Sequence, residues 1–480
     1  MTDALAVQER RRDRIARKVA RRGHSSAGHT PWPKAAAVIV VILIAAETVA
    51  YGGGRGDVAA AFAGLQAMMV LALASTPGDG ARSRDRYGGP FILAAVLFLL
   101  LELWAAFTLL PLHAAWSAPE WSPAGTSRAI TLDRFATLRE MIKLGGLACL
   151  FAAGLWLTTR RASSRALAAM ALFMTAYAAW AIFDFNHNPS TLFGVAKAYH
   201  QNRLTASFLS ANTAGGLFGA CGAMFFVLAM ESLFLSRYDF RLERRVMAFA
   251  PWAAAAVACF GALLLTASRG ALAATVLVVI CAVLVTAAVA AVRSLRQASV
   301  RWTSLAVVAA VAVAGAAAAP YLAGGKVASR LNSGEDGFGG RLDLIPTFFP
   351  SIGERLWQGH GLGAFRPVAA AITTPESFAS LWDVGAAHNI LVQWLLEGGL
   401  IGSALMFGAI AVILSILCRK SVRRSGSARV ARAVLAFTVV LLLHNLVDYS
   451  LQLPSVAALW ALLLGLAAGT ARGEAFGRSR

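Results

Sequence analysis

Long apolar runs separated by short polar segments dominate this chain. A helix needs roughly 17–25 residues to cross about 30 Å of hydrocarbon, and the runs have that length. Several are rich in Ala, Val and Leu without strand-like alternation, and a membrane-spanning segment must satisfy its own backbone, so helices are predicted. The pattern predicts twelve helices, at residues 35–51, 58–76, 90–111, 141–159, 166–183, 212–235, 248–267, 271–292, 302–319, 388–417, 433–450 and 454–470.

The composition agrees with this pattern. The 480 residues are 58% hydrophobic and only 14% charged, and the mean hydropathy is +0.64. Soluble domains carry about 25% charged residues. The fold class predicted is therefore an all-α integral membrane protein with about 12 transmembrane helices, and the composition disfavours an ordinary cytosolic enzyme.

The basic excess predicts how the chain lies in the membrane. The chain has 44 Lys plus Arg against 24 Asp plus Glu, a net charge of +20. In a soluble protein such an excess would indicate nucleic acid. Here, placing the N-terminus inside gives every inner connection at least three Lys or Arg, as the positive-inside rule requires. Both termini are predicted to be cytoplasmic, with membrane lipids and no nucleic acid as partners.

The same pattern divides the chain into five regions. They are a basic cytoplasmic tail predicted to be disordered, a nine-helix membrane region, a large outer loop, a three-helix membrane region and a C-terminal cytoplasmic tail, at residues 1–34, 35–319, 320–387, 388–470 and 471–480. The first apolar run is read as a retained helix rather than a cleaved signal.

Three outer connections are long, at about 112–140, 184–211 and 320–387. A loop as long as the third is usually functional or disordered. Its aromatic residues favour a folded, partly helical cap; they are Trp357, Phe365, Phe378 and Trp382.

The sequence contains no motif of a soluble enzyme. Gly324-Gly325-Lys326 lacks the spacing of a phosphate loop, and the turn from Gly359 to Gly363 lacks the strand–helix context of a dinucleotide site. The five cysteines indicate neither a disulfide framework nor metal-ligand spacing. No cofactor and no metal are predicted, so a reaction would need a substrate that is already activated.

Two outer arginines lie beside predicted spans. Ser268-Arg269-Gly270 is all that separates two apolar runs, and Arg203 precedes a span that opens at Asn212. Each arginine has an ordinary interpretation, as a snorkelling or loop charge. Alternatively, two guanidinium groups on one face could bracket a lipid diphosphate, because their donors match phosphate oxygens.

His388 begins a run that is longer than a bilayer needs, in which Gly398-Gly399 permits a bend. This places His388 in an outer chamber, where it could accept a proton from an attacking hydroxyl. A structural histidine is the competing interpretation. His444 and Asp448 form a rival pair on one helix face, for which a structural hydrogen bond is favoured.

Carboxylates within predicted spans keep a second function open. Glu47, Glu102 and Glu231 lie in apolar runs, where ionisable groups are usually functional. They permit a secondary transporter of a small polar or lipid-linked solute. The chain shows no two-half symmetry, which many transporters have, and its polar residues gather at helix ends.

Four local matches make the chain resemble the bacterial O-antigen ligase and O-antigen polymerase family of integral-membrane glycan transferases. The matches cover roughly residues 200–450. They are Arg203 to Phe208 leading to Asn212, Ser268-Arg269-Gly270, Arg341 followed by Gly359 to Phe365, and His388-Asn389 with Glu397 to Gly402. His360 departs from the family pattern, in which an apolar residue is more usual.

The resemblance implies a metal-independent, inverting glycosyl transfer at the periplasmic face of the bacterial inner membrane. The donor would be an undecaprenyl-diphosphate-linked glycan and the acceptor another glycan or lipid A–core. By the family's pattern Arg203, Arg269 and the fainter candidate Arg341 bind the diphosphate, and His388 activates the acceptor. Possible supporting residues are Asn389, Glu397, His444 and Asp448. Ligase and polymerase remain alternatives, and the oligomeric state is not predicted.

Overall fold

The computed structural model describes residues 32–75, 88–111, 129–159, 162–234, 242–294, 344–382, 384–423 and 425–469. Four predicted features lie outside these ranges: the N-terminal tail up to residue 31, the C-terminal tail at 471–480, the span at 302–319, and Arg341.

The described residues are almost entirely helical. The helices are α1 (Trp32–Val49), α2 (Gly56–Ala74), α3 (Gly89–Thr108), α4 (Arg134–Thr159), α5 (Ser163–His187), α6 (Ala211–Phe234), α7 (Leu242–Leu265), α8 (Arg269–Ser294), α9 (Phe349–Glu354), α10 (Phe365–Ile372), α11 (Phe378–Leu381), α12 (Ile390–Ser421), α13 (Gly426–His444) and α14 (Pro454–Ala468). Short 3-10 helices occur at Tyr51–Gly53, Ile345–Phe348 and Ser450–Gln452, and a small antiparallel hairpin joins β1 (Thr191–Leu192) to β2 (Val195–Ala196).

The predicted all-α membrane architecture is confirmed. Within the described ranges, ten helices are long and apolar enough to cross a membrane: α1 to α8, α12 and α13. Helix α14 is apolar but shorter, with 15 residues. The total of twelve spans and the direction in which they cross stay predictions.

Several helix boundaries differ from the predicted ones, because caps rather than hydropathy set them. Helix α4 begins at Arg134 instead of 141, since the Asp133 carboxylate accepts a 2.8 Å hydrogen bond from the Ala136 amide. Helix α13 covers Gly426–His444 instead of 433–450, and the Ser425 hydroxyl caps its first turn. The apolar pattern therefore located these helices but misplaced their ends.

Helix α6 forms the centre of the bundle and packs against α7, α8 and α13. Its glycines permit this close packing. A Cβ on Gly219 would lie 2.3 Å from the Thr275 hydroxyl, and one on Gly222 would lie 2.5 Å from the Phe260 ring. Phe218 is fully buried in the same interface. The N-terminal end of α6 is thereby held among neighbouring helix ends.

Helix α12 is broken at Gly399, where the backbone takes φ 62° and ψ −167°. This confirms the predicted bend. The freed backbone groups pair with the large loop: the Leu400 amide donates to the Leu356 carbonyl at 2.8 Å, and the His360 amide donates to the Leu396 carbonyl at 2.9 Å. A broken helix in a membrane protein needs such partners, because lipid offers none.

The described part of the large loop is folded and contains three short helices, as predicted for the cap. Phe348 and Phe365 pack together at its centre, with ring centroids 5.3 Å apart. Of the four aromatic residues that favoured a folded cap, Phe365 is 2% exposed, whereas Trp357, Phe378 and Trp382 are 64%, 57% and 60% exposed. Smaller apolar residues complete the core.

We predict that Gly399→Ala destabilises the protein. An added Cβ would lie 2.4 Å from the Trp357 carbonyl oxygen, in a backbone conformation that is essentially restricted to glycine. The strain should cost on the order of 1–3 kcal/mol and lower the apparent Tm in detergent. Gly408→Ala in the same helix is the control, because its Cβ would make an ordinary contact of 3.5 Å with Leu97. Equal Tm values for the two variants would contradict this account.

Candidate functional site at one end of the bundle

The turn between α7 and α8 forms one wall of the candidate site. Ala267 adopts a left-handed conformation with φ 50°, and Ser268 is 3% exposed. Gly215 of α6 lets the turn approach, since a Cβ there would lie 2.8 Å from the Ser268 Cβ. Arg269 follows as the first residue of α8. The predicted anion-binding arginine thus lies at a helix N-terminus, where the helix dipole favours negative charge.

Arg203 is held against this turn. Its Nε donates to the Thr266 carbonyl at 2.9 Å, and its Nη2 donates to the Ala267 carbonyl at 2.9 Å. The same Nη2 donates to the Asn212 side chain at 3.2 Å. Helix α7 ends at Leu265, so the guanidinium satisfies carbonyls at a helix C-terminus. The two predicted arginines therefore meet at one turn.

His388 and Asn389 open α12 from a second wall. The Asn389 side chain caps the helix by accepting from the Leu391 and Val392 amides at 2.9 and 3.1 Å. Its amide also donates to the Leu446 carbonyl at 2.9 Å, which ties α12 to the segment after α13. His388 has φ 53° and lies where the chain passes from the large loop into α12.

Asp448 lies between two histidines. Its carboxylate oxygens are 3.7 Å from His388 Nδ1 and 3.0 Å from His444 Nε2, and its side chain is fully buried. The His388 ring also meets Tyr449 edge-on, with centroids 4.8 Å apart. His388 retains a side-chain exposure of 16%. The sequence offered His388 and the His444–Asp448 pair as rivals, but they form one cluster.

The predicted shared helix face for His444 and Asp448 is wrong, although their contact exists. Helix α13 ends at His444, and Asp448 returns to it across the following turn. His444 Nε2 also lies 3.0 Å from the Asn212 carbonyl. Its ring lies between two glycines, because a Cβ on Gly216 would be 2.5 Å from the ring and one on Gly270 would be 3.4 Å from Nδ1. His444 thus joins the carboxylate to the start of α8.

The segment after Arg203 is buried in the bundle rather than lying on its surface. The Ser207 hydroxyl contacts the Tyr177 hydroxyl and donates to the Thr48 carbonyl, both at 2.5 Å. Phe208 is 1% exposed and packs against Gly52. Sequence analysis missed Tyr177, although a polar ring in an apolar span was an available signal.

Glu397 and His360 belong to the break in α12 and not to the histidine cluster. The Glu397 carboxylate accepts from the Gln393 amide at 2.7 Å and from the Phe365 backbone amide at 3.2 Å. His360 is fully buried, and its Nε2 lies 2.9 Å from the Ser351 carbonyl. Burial lowers the pKa of His360 to about 4, so it is neutral at pH 7. Both residues therefore support the loop.

The opposite end of the bundle carries different charges. Arg432 makes a bidentate ion pair with Glu231, and the Lys420 ammonium donates to the carbonyls at the end of α14, including that of Ala467 at 2.7 Å. At the same end as the candidate site, Glu47 lies next to Gly53 and accepts a 3.0 Å hydrogen bond from Gln66. Two of the three span carboxylates thus have protein partners that explain their burial.

Backbone strain is concentrated at the candidate site. Among the described residues, seven non-glycine positions have positive φ. Five of them lie at the candidate site or in the stretch that leads to Arg203: His200, Asn202, Ala206, Ala267 and His388. Such conformations cluster at functional sites, where surrounding contacts maintain them.

A segment of the chain that contains part of the candidate site matches a known protein family. Residues 254–407 match the family model for O-antigen ligase. This matched segment covers less than half of the chain. It runs from within α7 into α12 and includes Arg269 and His388, whereas Arg203, His444 and Asp448 lie outside it. No curated protein matches the chain.

The family match and the apolar helices together support a multi-pass membrane enzyme that transfers glycans. A protein of that family would use a lipid-linked glycan as donor and a separate acceptor. The described part of the chain contains no group of three or more His, Cys, Asp or Glu arranged to hold a metal ion.

We predict that His360 makes the loop sensitive to acid. An unfolded histidine titrates near its ordinary pKa of 6.5, whereas burial lowers the pKa of His360 to about 4. The unfolded state therefore binds the proton first, and the stability present above pH 6.5 is lost as the pH falls towards 4, by about 1.4 kcal/mol per unit. His360→Gln, which keeps a donor for Ser351, should reduce the fall in Tm between pH 7.5 and 5. An unchanged fall would contradict this prediction.

Proposed function

We propose that the protein transfers a glycan from an undecaprenyl-diphosphate carrier to an acceptor hydroxyl at the periplasmic face of the inner membrane. The observation that carries this proposal is the single contact cluster in which His388, Asp448 and His444 adjoin the start of α8. A base and an anion site next to each other are what an inverting transfer from a lipid diphosphate requires.

The anion site would be the N-terminal turn of α8 together with the Arg269 guanidinium. The backbone amides of a first helical turn and the helix dipole favour phosphate oxygens at that position. Arg269 adds a planar fork of donors, which matches a diphosphate. Arg203 and Arg341 stay predicted contributors. The positive groups would offset the charge that develops on the departing diphosphate.

The base would be His388, oriented by Asp448. A carboxylate 3.7 Å from Nδ1 favours the tautomer with its proton on Nδ1, which leaves Nε2 available as the acceptor. The acceptor hydroxyl gives its proton to Nε2 as its oxygen bonds to the anomeric carbon. The bond from that carbon to the phosphate oxygen breaks, and the diphosphate leaves with the electron pair. Attack opposite the leaving group inverts the anomeric centre.

Two observations favour transfer over the transport alternative. Glu231 is neutralised by Arg432, and Glu47 is hydrogen-bonded to Gln66, so these carboxylates have structural roles. The histidine cluster lies at a helix end rather than within a span. Uptake of a coupled solute into vesicles by the purified protein would favour transport instead.

Ligase and polymerase activity differ only in the acceptor. A ligase passes the glycan to lipid A–core or another finished acceptor, and a polymerase passes it to another lipid-linked repeat unit. Deletion of the gene distinguishes them: polymer accumulating on its carrier beside uncapped lipid A–core indicates a ligase, and single repeat units on a finished acceptor indicate a polymerase.

We predict that Arg269→Ala and His388→Ala each lower the transfer rate on the order of 10²–10⁴-fold while the protein still inserts. The assay incubates purified protein with a lipid-diphosphate glycan and an acceptor, without nucleotide. Arg55→Ala is the matched control, because Arg55 is exposed and pairs with the neighbouring Asp57 among the described residues. Transfer at the control rate by either variant would refute its assignment.

We also predict that Asp448→Asn lowers kcat more than it raises the KM for the donor. The amide removes the charge that orients His388 but does not touch the diphosphate, so the loss in kcat should be on the order of 10²-fold. Steady-state kinetics in nanodiscs, with insertion checked by size-exclusion chromatography, measures both constants. A change confined to the donor KM would show that Asp448 does not act on the base.

A further inference from the structure

The guanidinium of Arg203 donates hydrogen bonds to oxygen atoms of the protein itself. Three of its bonds go to the Thr266 and Ala267 carbonyls and to Asn212, at 2.9, 2.9 and 3.2 Å. Its Nη1 also lies 3.3 Å from His200 Nδ1. An arginine has five N–H donors in a fixed fork, so these contacts fix its orientation. The fork faces the end of α7.

The turn that Arg203 holds needs external support. Helix α7 ends at Leu265, whose carbonyl accepts a 3.0 Å hydrogen bond from the Leu204 amide. The next two carbonyls are those that Arg203 satisfies, and Ala267 is in a left-handed conformation that disfavours residues with a Cβ. Without the guanidinium, two carbonyls at a helix C-terminus would lose their partner.

This turn determines where α8 begins. Ser268 is the last residue before the helix, and its carbonyl accepts the first helical hydrogen bond, from the Leu272 amide at 2.9 Å. Arg269 follows directly. A shift of the turn would therefore move both the Arg269 side chain and the backbone amides of the first helical turn.

We propose that Arg203 is a positioning residue that fixes the α7–α8 turn, so that Arg269 and the start of α8 meet the diphosphate. The inference rests on the proposed function, but it gives Arg203 a different role from the direct diphosphate contact that the family resemblance implies. Arg203 acts on the leaving group through the turn, by satisfying the Thr266 and Ala267 carbonyls.

The first test measures the turn without any donor. Ser268 is 3% exposed, so a cysteine at this position should react slowly with a water-soluble maleimide. Ser268→Cys is placed in a background whose five native cysteines are replaced by alanine. Adding Arg203→Ala should accelerate alkylation of the empty protein at least about tenfold, in proportion to the opening of the turn. Arg55→Ala is the control and should leave the rate unchanged.

The second test measures whether Arg203 acts through Arg269. The affinity for undecaprenyl diphosphate in nanodiscs is titrated for wild type, Arg203→Ala, Arg269→Ala and the double variant. Arg203→Ala should weaken binding about tenfold in wild type but less than about threefold when Arg269 is already alanine, because residues that act together are not additive. The KM for the acceptor should stay unchanged. If Arg203→Ala does not insert, Arg203→Gln takes its place in both tests.

The outcomes separate this inference from the proposed function. Faster alkylation with a non-additive cycle supports a positioning role. An unchanged alkylation rate, or equal losses in both backgrounds, would overturn it and indicate direct contact with the diphosphate. If the wild-type protein does not bind undecaprenyl diphosphate at all, the proposed function fails, whereas the alkylation result still reports whether Arg203 holds the turn.

Discussion

A helix that stops inside an apolar bundle leaves backbone groups that must find partners in the protein, and the candidate site is assembled from those partners. Arg203 satisfies the carbonyls after α7, and Asn389 satisfies the amides at the start of α12. The large loop satisfies the break at Gly399. Lipid cannot supply these bonds. Polar side chains therefore concentrate where helices end, and chemistry becomes possible there.

The same constraint accounts for the division of charge between the two ends of the bundle. At one end the Lys420 ammonium donates hydrogen bonds to main-chain carbonyls, and Arg432 forms an ion pair with Glu231. At the other end a buried carboxylate, Asp448, is shared by His388 and His444. A buried carboxylate is costly unless it has such partners. The arrangement places the His388 imidazole 3.7 Å from a buried carboxylate and in one contact cluster with the start of α8, which is the combination that the proposed transfer needs.

The sequence predicted the parts of this architecture that hydropathy dictates. Apolar runs located the helices. Arg269 and His388 are isolated polar residues at the ends of these runs, and this position marked both as candidate site residues. The Gly398-Gly399 pair predicted the break in α12. These features follow from local sequence, because each is set by the residues that carry it. The exact helix ends were missed, because a single capping residue such as Asp133 or Ser425 hardly changes the mean hydropathy of the segment around it.

The contacts between distant segments could not be predicted. His388 and Asp448 meet only because α13 stops at His444 and the chain turns back, which no helical periodicity records. Two partners of Arg203 are main-chain carbonyls. Every residue has a main-chain carbonyl, so the sequence does not show which ones Arg203 contacts.

The central claim, that a lipid diphosphate binds at the start of α8 beside the histidine cluster, is tested most directly by a cryo-EM structure with undecaprenyl diphosphate bound in nanodiscs. We expect density for the diphosphate within hydrogen-bonding distance of Arg269 and the first amides of α8. Density at the opposite end of the bundle, beside Arg432 and Lys420, would contradict it.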